Sequence, residues 1–224
     1  MKIKSNFVKR AITGTVFVAV ILTAILVNTP VVFFGLVWFL SVLMINEYRI
    51  LLKNHGTTEQ KKNLWYSVFA YFYIIIPLSC LVFIHWLNPL YTLALFAFVW
   101  VNDTFAYLVG SAIGKRTLFE RISPKKTWEG FFGGLIFAVF AGFLFSHFTT
   151  DYCSTNNLIK WIGLAVVVVI FGTMGDLFES YIKRNLNVKD SGTILPGHGG
   201  LLDRLDSILF AAPVALIYLL LVRL

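Results

Sequence analysis

Two pairs of carboxylates lie in one polar stretch of an otherwise apolar chain, and their spacing suggests a site for a divalent cation. Asp176 and Glu179 are three positions apart and share one face if the segment is helical, and Asp203 and Asp206 repeat this spacing. Mg²⁺ prefers such oxygen ligands, usually one or two carboxylates completed by waters and phosphates. Acidic residues are favoured in the first turn of a helix because they interact with the helix dipole. That preference would explain one residue of the second pair, but not both pairs of carboxylates.

A glycine-rich loop separates the two carboxylate pairs. It runs from Lys189 to Gly200 and contains four glycines and a proline, which would let backbone N–H groups approach an anion closely. Turns also need glycine, so the loop alone is weak support for phosphate binding. His198 within it has two interpretations, a contact to a ligand or a hydrogen bond to the backbone.

Lys183 lies one turn beyond Glu179 and on the same helical face, together with Ser180. An i,i+4 pair with Glu179, and a side chain that reaches the membrane interface, would explain Lys183 without any catalytic role. That explanation does not cover Asp176, which lies one turn deeper in the apolar segment.

A second basic segment, Ser-Pro-Lys-Lys-Thr over residues 123–127, is predicted to open a helix. Lys125 and Lys126 supply point charges there, and the hydroxyls of Ser123 and Thr127 supply donors. With the first N–H groups of the helix they would form a clamp for a polyanion. Membrane orientation also places lysines in such loops, and that accounts for some of them.

Asp103 stands inside an apolar run, next to Asn102. Ionisable groups at such depth are costly unless paired or hydrated, so Asp103 is a functional candidate, as is Glu47 in an earlier run. Gly130 and Gly134, one turn apart, are assigned to close helix packing rather than to chemistry. Carboxylates for a metal, lysines for phosphates and glycines for backbone contacts together indicate phosphoryl or nucleotidyl transfer to a lipid.

The elements that must carry these residues are membrane spans. Hydrophobic residues make up 58% of the 224 positions and charged residues 13%, about half the charged share of a soluble domain. Spans of about 20 apolar residues predict helices over 11–29, 31–52, 64–86, 90–110, 129–148, 158–184 and 201–223. The predicted fold is an all-α polytopic integral membrane protein with about seven transmembrane helices.

The basic residues test this count independently. With seven spans, all of the 19 lysines and arginines except Lys160 and Arg223 fall on one side, which the positive-inside rule identifies as the cytoplasm. The N-terminus and the polar stretch are therefore predicted to be cytoplasmic. The net charge of +8 belongs to these loops, and no nucleic-acid partner is expected.

The polar segments resemble the signature of the phosphatidate cytidylyltransferases, also called CDP-diacylglycerol synthases. The resemblance covers about residues 98–210, whereas residues 1–97 match only in hydrophobic character. We expect one transmembrane catalytic domain over 1–224, with less specific N-terminal spans (1–97) and catalytic spans (98–224). The matching blocks are DTFAYLVG (103–110), SPKKTWEG (123–130), GDLFES (175–180), SYIKR (180–184), KDSG (189–192) and LPGHGGLLDRLD (195–206).

The resemblance implies transfer of the cytidylyl group of CTP to phosphatidic acid, giving CDP-diacylglycerol and pyrophosphate, with Mg²⁺ alone or with a second cation. The expected metal ligands are Asp176, Asp203 and Asp206, with Glu179 as a further catalytic carboxylate. The residues expected to hold phosphates of CTP or of the lipid are Lys183, Arg184, Lys125, Lys126 and Arg204, with His198, Gly199 and Gly200 on the triphosphate. The remaining substrate-binding candidates are Asp103, Ser123, Thr127, Ser180, Lys189 and Asp190.

Alternatives remain open at this point. The acceptor could instead be another lipid phosphate, such as an isoprenoid ether lipid phosphate, because the lipid tails would contact only apolar helix faces and not the polar motifs. An ion-coupled transporter is a third interpretation, although the sequence shows no internal repeat and its carboxylates cluster at one membrane face. The oligomeric state is open and includes a homodimer, and the expected location is a bacterial inner membrane with the site facing the cytoplasm.

Overall fold

The fold is described from a computed structural model, which covers residues 2–27, 29–55, 64–149, 158–195, 197 and 199–223. Seven helices occur in these segments, as the apolar runs predict. They are α1 (Lys2–Leu26), α2 (Pro30–His55), α3 (Leu64–Leu87), α4 (Pro89–Ile113), α5 (Trp128–Phe148), α6 (Leu158–Asn185) and α7 (Leu202–Arg223). A two-stranded antiparallel hairpin, β1 (Thr117–Phe119) and β2 (Ser123–Thr127), joins α4 to α5.

The helices have the length and composition of membrane spans. Within the described residues, α2 to α7 each contain a stretch long and apolar enough to cross a bilayer, and α1 has a shorter apolar part, Ala11–Leu26. Large side chains such as Trp38 and Leu221 are about 70% exposed, which is costly in water and favourable against lipid. The predicted all-α polytopic membrane protein is therefore confirmed.

The segment 123–127 corrects one prediction, because it forms strand β2 instead of opening a helix. Pro124 disfavours helical backbone at the residue before it and offers no N–H of its own. The helix begins only at Trp128, where the Thr127 hydroxyl accepts a hydrogen bond from the Gly130 N–H at 3.1 Å as an N-cap. The Trp128 N–H donates to the Arg116 carbonyl at 2.9 Å and closes the hairpin.

Helices α4 and α5 pack closely along a glycine face. A Cβ built on Gly130 would lie 2.6 Å from the Ala106 carbonyl oxygen, and one on Gly134 would lie 2.3 Å from the Asn102 Oδ1. These distances leave no room for a side chain, so the predicted packing role of both glycines is confirmed.

Helices α6 and α7 meet in the same way at Gly175. A Cβ there would lie 2.4 Å from the Asp206 carbonyl oxygen. The backbones therefore approach each other next to Asp176 and Asp206, and the fold brings these two carboxylates from different helices to one place. Helix α7 also packs against α3, and α5 packs against α6.

Candidate active site

A cavity of about 600 Å³ lies where α1, α4, α5, α6, α7 and the hairpin come together. Its lining includes both charged and apolar side chains. The charged residues that line it are Asp103, Asp176, Asp203, Asp206, Lys125, Lys126, Lys183 and Arg204, and the apolar ones include Phe17, Val18, Val99, Trp100, Leu118 and Phe131. The cavity therefore combines charged side chains, which are suited to phosphates, with apolar ones.

Asp176 is held from two sides. Its Oδ2 forms an ion pair with the Nζ of Lys126 from strand β2, and its Oδ1 lies 3.4 Å from the Ser180 hydroxyl one turn along α6. Both side chains of the ion pair keep about a third of their surface exposed towards the cavity. Strand β2 and helix α6, which carry separate sequence motifs, thus contribute to one site.

Lys183 lies between two carboxylates. Its Nζ donates to the Glu179 Oε2 at 2.6 Å and to the Asp203 Oδ1 at 2.6 Å. All three side chains are largely buried, at 14%, 4% and 10% exposure. The i,i+4 pair with Glu179 is therefore present, and Lys183 also connects α6 to the start of α7.

Asp203 anchors the glycine-rich loop. Its Oδ2 accepts hydrogen bonds from the N–H of Ser191 and the N–H of Gly200, both at 2.9 Å, and lies 3.0 Å from the Ser191 hydroxyl. With Lys183 on Oδ1, both carboxylate oxygens are engaged by the protein. Asp203 is the second residue of α7, and its carboxylate satisfies the N–H of Gly200 just before the helix as well as the N–H of Ser191 in the loop.

Glu47 on α2 reaches the same loop from the N-terminal half of the chain. It is 3% exposed, its Oε2 accepts from the Leu201 N–H at 2.7 Å, and its Oε1 accepts from the Ser191 hydroxyl. The sequence marks Glu47 only as an acidic residue in an apolar run and gives no sign of its partners. Gly14 and Phe17 of α1 line the cavity as well, so the less specific spans take part in the site.

The oxygen atoms around Asp206 suit a hard cation. Asp206 accepts from the Ser207 N–H at 2.7 Å and lies close enough to Asp176, Glu179 and Asp103 for their negative charges to repel one another. A buried oxygen without a hydrogen-bond partner occurs in the Glu179 carboxylate, and another in the Asn102 amide, which lies against Gly134. Carboxylate oxygens such as those of Asp176 and Asp206 are ligands that Mg²⁺ prefers.

Within the described segments, no three Asp, Glu, His or Cys side chains are arranged to hold one metal ion by themselves. This arrangement is compatible with Mg²⁺, because the ion usually takes one or two carboxylates and completes its shell with waters and substrate phosphates. The donor set therefore fits Mg²⁺ held jointly with a polyphosphate.

The other predicted site residues differ in whether they line the cavity. Ser123, Lys125, Thr127 and Arg204 line the cavity. Arg184 instead donates from its Nε to the Ile122 carbonyl at 3.3 Å and supports the hairpin, and Lys189 and Asp190 are not among the lining residues. Gly199, with φ +82°, lies beside Asp203 and Asp190, and Gly200 lies against Glu47. His198 lies outside the described residues.

Comparison with known proteins gives a consistent result. The cytidylyltransferase family matches residues 3–222. The phosphatidate cytidylyltransferase of Rickettsia bellii is 35% identical over 223 residues, which cover 95% of this chain and 90% of the relative.

Other relatives match over a shorter part. The phosphatidate cytidylyltransferases of Haemophilus influenzae and Staphylococcus aureus are 46% identical over 122 residues and 47% identical over 126 residues. These matches cover 54% and 55% of this chain and 42% and 46% of the relatives. Since the family match extends over nearly all of the 224 residues, this chain is a member of the cytidylyltransferase family.

Proposed function

We propose that this protein transfers the cytidylyl group of CTP to phosphatidic acid and releases pyrophosphate. The observation that carries the proposal is the cavity, whose charged residues would bind the phosphates of a nucleotide and of a lipid and whose apolar residues would contact the rest of the lipid. The names of the relatives supply the acceptor, since several are phosphatidate cytidylyltransferases. An integral membrane enzyme can take such an acceptor directly from the bilayer.

The lipid phosphate acts as its own nucleophile. A phosphate monoester has a second pKa of about 6 and is therefore mostly dianionic at neutral pH. One of its oxygens attacks the α-phosphorus of CTP, the bond from that phosphorus to the bridging oxygen breaks, and pyrophosphate leaves with its electron pair. This step needs no general base, so the protein contributes charge neutralisation and alignment.

The cations of the cavity would supply part of that neutralisation. Lys125 and Lys126 of strand β2 and Arg204 of α7 line the same cavity, so phosphates bound there would contact positive charge from two elements. Lys126 would exchange its ion pair with Asp176 for a phosphate contact when substrate enters. The resemblance also implies contacts of Gly199 and Gly200 with the triphosphate; in the structure these glycines adjoin Asp203, which lines the cavity.

Mg²⁺ would be held by Asp176 and Asp206, with Asp103 as a further oxygen donor beside them. When bound, the ion polarises the phosphates of CTP and neutralises the charge that develops on the leaving pyrophosphate. The sequence also predicts Asp203 as a ligand. Its contacts to Lys183, Ser191 and Gly200 favour a role in holding the loop.

The proposed location is the inner membrane of a bacterium, with the cavity open to the cytoplasm. The basic residues support this orientation through the positive-inside rule. Added CTP should support lipid labelling in inside-out vesicles and not in sealed right-side-out vesicles. Equal labelling of both preparations would contradict the orientation.

The decisive experiment uses purified protein with CTP labelled in its α-phosphate, Mg²⁺ and a lipid acceptor. We expect label in the lipid phase with phosphatidic acid and none without an acceptor. Transfer to an isoprenoid ether lipid phosphate but not to phosphatidic acid would replace the proposed acceptor. Transfer to neither would overturn the proposed function.

A further inference from the structure

Glu47 is a buried carboxylate that the proposed chemistry does not use. It lies on α2, a helix outside the resemblance blocks, and is 3% exposed. Burying a carboxylate is costly unless its oxygens are hydrogen-bonded. Both of its oxygens are engaged by the segment that carries the glycine-rich loop, namely by the Ser191 hydroxyl and the Leu201 N–H.

These two contacts lie at opposite ends of the loop. Ser191 stands where the loop begins and Leu201 where it leads into α7, so one carboxylate fastens both ends. The loop backbone also packs directly on the Glu47 side chain, because a Cβ built on Gly192 would lie 2.9 Å from the Glu47 Cγ and Cδ. The shape of the loop between these ends therefore depends on a residue from another helix.

The same contacts continue to Asp203. The Ser191 hydroxyl lies between Glu47 and the Asp203 Oδ2, and since it carries one proton, it donates to one of them at a time. The Ser191 N–H donates to Asp203 in either case. Glu47 is thus connected through Ser191 to Asp203, and through Asp203 to Lys183 at the edge of the cavity.

From this arrangement we infer that Glu47 is a positioning residue that fixes the glycine-rich loop, and with it Asp203 and Lys183, in the arrangement that binds the triphosphate of CTP. The inference rests on the proposed function, in which the cavity binds the nucleotide. Neither Glu47 nor the described residues of the loop line the cavity, so Glu47 acts on CTP through Asp203 and Lys183, which do. Its loss should weaken binding of CTP and leave binding of the lipid acceptor unchanged.

The test compares substitutions that differ in hydrogen bonding. Glu47→Ala removes both acceptors and should raise the KM for CTP about ten- to a hundredfold, the usual range for leaving buried donors unpaired. The KM for phosphatidic acid should stay within about twofold. Glu47→Gln should retain most of the wild-type KM, because its carbonyl can accept from Leu201 and its amide can donate to the Ser191 hydroxyl, which then donates to Asp203.

A matched control separates positioning from general stability. Met44 is fully buried on the same helix, one turn before Glu47, so Met44→Ala should lower thermal stability without changing the KM for CTP. Ser191→Ala should raise that KM as well, and the double variant with Glu47→Ala should be no worse than the poorer single one. If Glu47→Ala alters stability alone, as Met44→Ala does, or raises both KM values equally, the inference is wrong.

Hydrogen exchange tests the inference without any activity. In substrate-free protein, Glu47→Ala should speed amide exchange in the peptide that covers residues 190–201, and Glu47→Gln and Met44→Ala should not. Unchanged exchange in Glu47→Ala would overturn the role of Glu47. A wild-type protein that transfers nothing to phosphatidic acid would overturn the proposed function but leave this result standing.

Discussion

Lys126 on the hairpin and Asp176 on α6 form an ion pair across the cavity. Each belongs to a different sequence motif, and the two motifs are separated by the whole of α5. Both side chains also line the cavity. In the proposed function Lys126 would bind a phosphate of the substrate and Asp176 would bind Mg²⁺, so the pair marks where the two would meet. Its two members give the first two predictions.

Replacement of Lys126 tests whether the lysines of the hairpin do more than orient the protein in the membrane. Lys126→Met should lower kcat about 10²- to 10³-fold, as expected when one preorganised donor to a developing charge is removed. Lys115→Met is the matched control, since Lys115 lies on the same connection but does not line the cavity. Cytidylyl transfer by purified, folded variants gives the measurement, and equal losses in both would contradict a role for Lys126 in the site.

Substitutions of the carboxylates separate metal ligands from residues that hold the loop. Asp176→Asn and Asp206→Asn should raise the Mg²⁺ concentration for half-maximal activity about tenfold or more, because each removes a charged oxygen donor. Asp203→Asn should lower activity and thermal stability without moving that concentration, since Asp203 is engaged by Lys183, Ser191 and Gly200. A parallel rise in the Mg²⁺ requirement of Asp203→Asn would instead make Asp203 a ligand, as the sequence predicts.

The chemistry of α6 could be read from the sequence because it depends on local spacing. Asp176, Ser180 and Lys183 share a face through helical periodicity alone, and that face is present. The pairing of Asp176 with Lys126 could not be read, because a contact between distant segments depends on how the helices pack. The sequence shows the positive charge of Lys126 but does not identify Asp176 as its partner.

The same limit explains the role of Glu47 and the hairpin. An acidic residue in an apolar run indicates that a partner exists, and only the fold identifies the loop ends at Ser191 and Leu201. The sequence predicts that the segment 123–127 opens a helix, and a helix does begin directly after it, at Trp128. The segment itself pairs with β1 as a strand, and this pairing could not be predicted from local spacing.

The burial of Lys183 between two carboxylates leads to a prediction for stability. Lys183→Met would leave Glu179 and Asp203 close together without their shared cation, at a cost of about 3–5 kcal/mol, as for other broken buried ion pairs. Adding Glu179→Gln removes one of the two charges and should restore part of the loss. Thermal unfolding in detergent followed by tryptophan fluorescence measures both variants, and a double variant less stable than Lys183→Met would contradict this account.

Two glycine substitutions test how closely the loop is packed on α2. A Cβ added at Gly200 would lie 1.7 Å from the Glu47 Oε1 and 2.0 Å from the Ser191 hydroxyl, whereas one at Gly35 of α2 meets nothing within 4 Å. Gly200→Ala must therefore shift the Glu47 carboxylate, the Ser191 hydroxyl or the loop backbone, and each of these shifts disturbs the contacts between Glu47 and the loop. It should raise the KM for CTP at least as much as Glu47→Ala, about ten- to a hundredfold.

Gly35→Ala provides the control for the same chemical change in open space. It should leave kinetics unaltered and stabilise α2 by about 0.5–1 kcal/mol, because alanine is the better helix former. Steady-state kinetics and thermal unfolding distinguish the two variants. Wild-type kinetics in Gly200→Ala would show that the loop can move away from Glu47 without loss, which contradicts both the packing described here and the positioning role that depends on it.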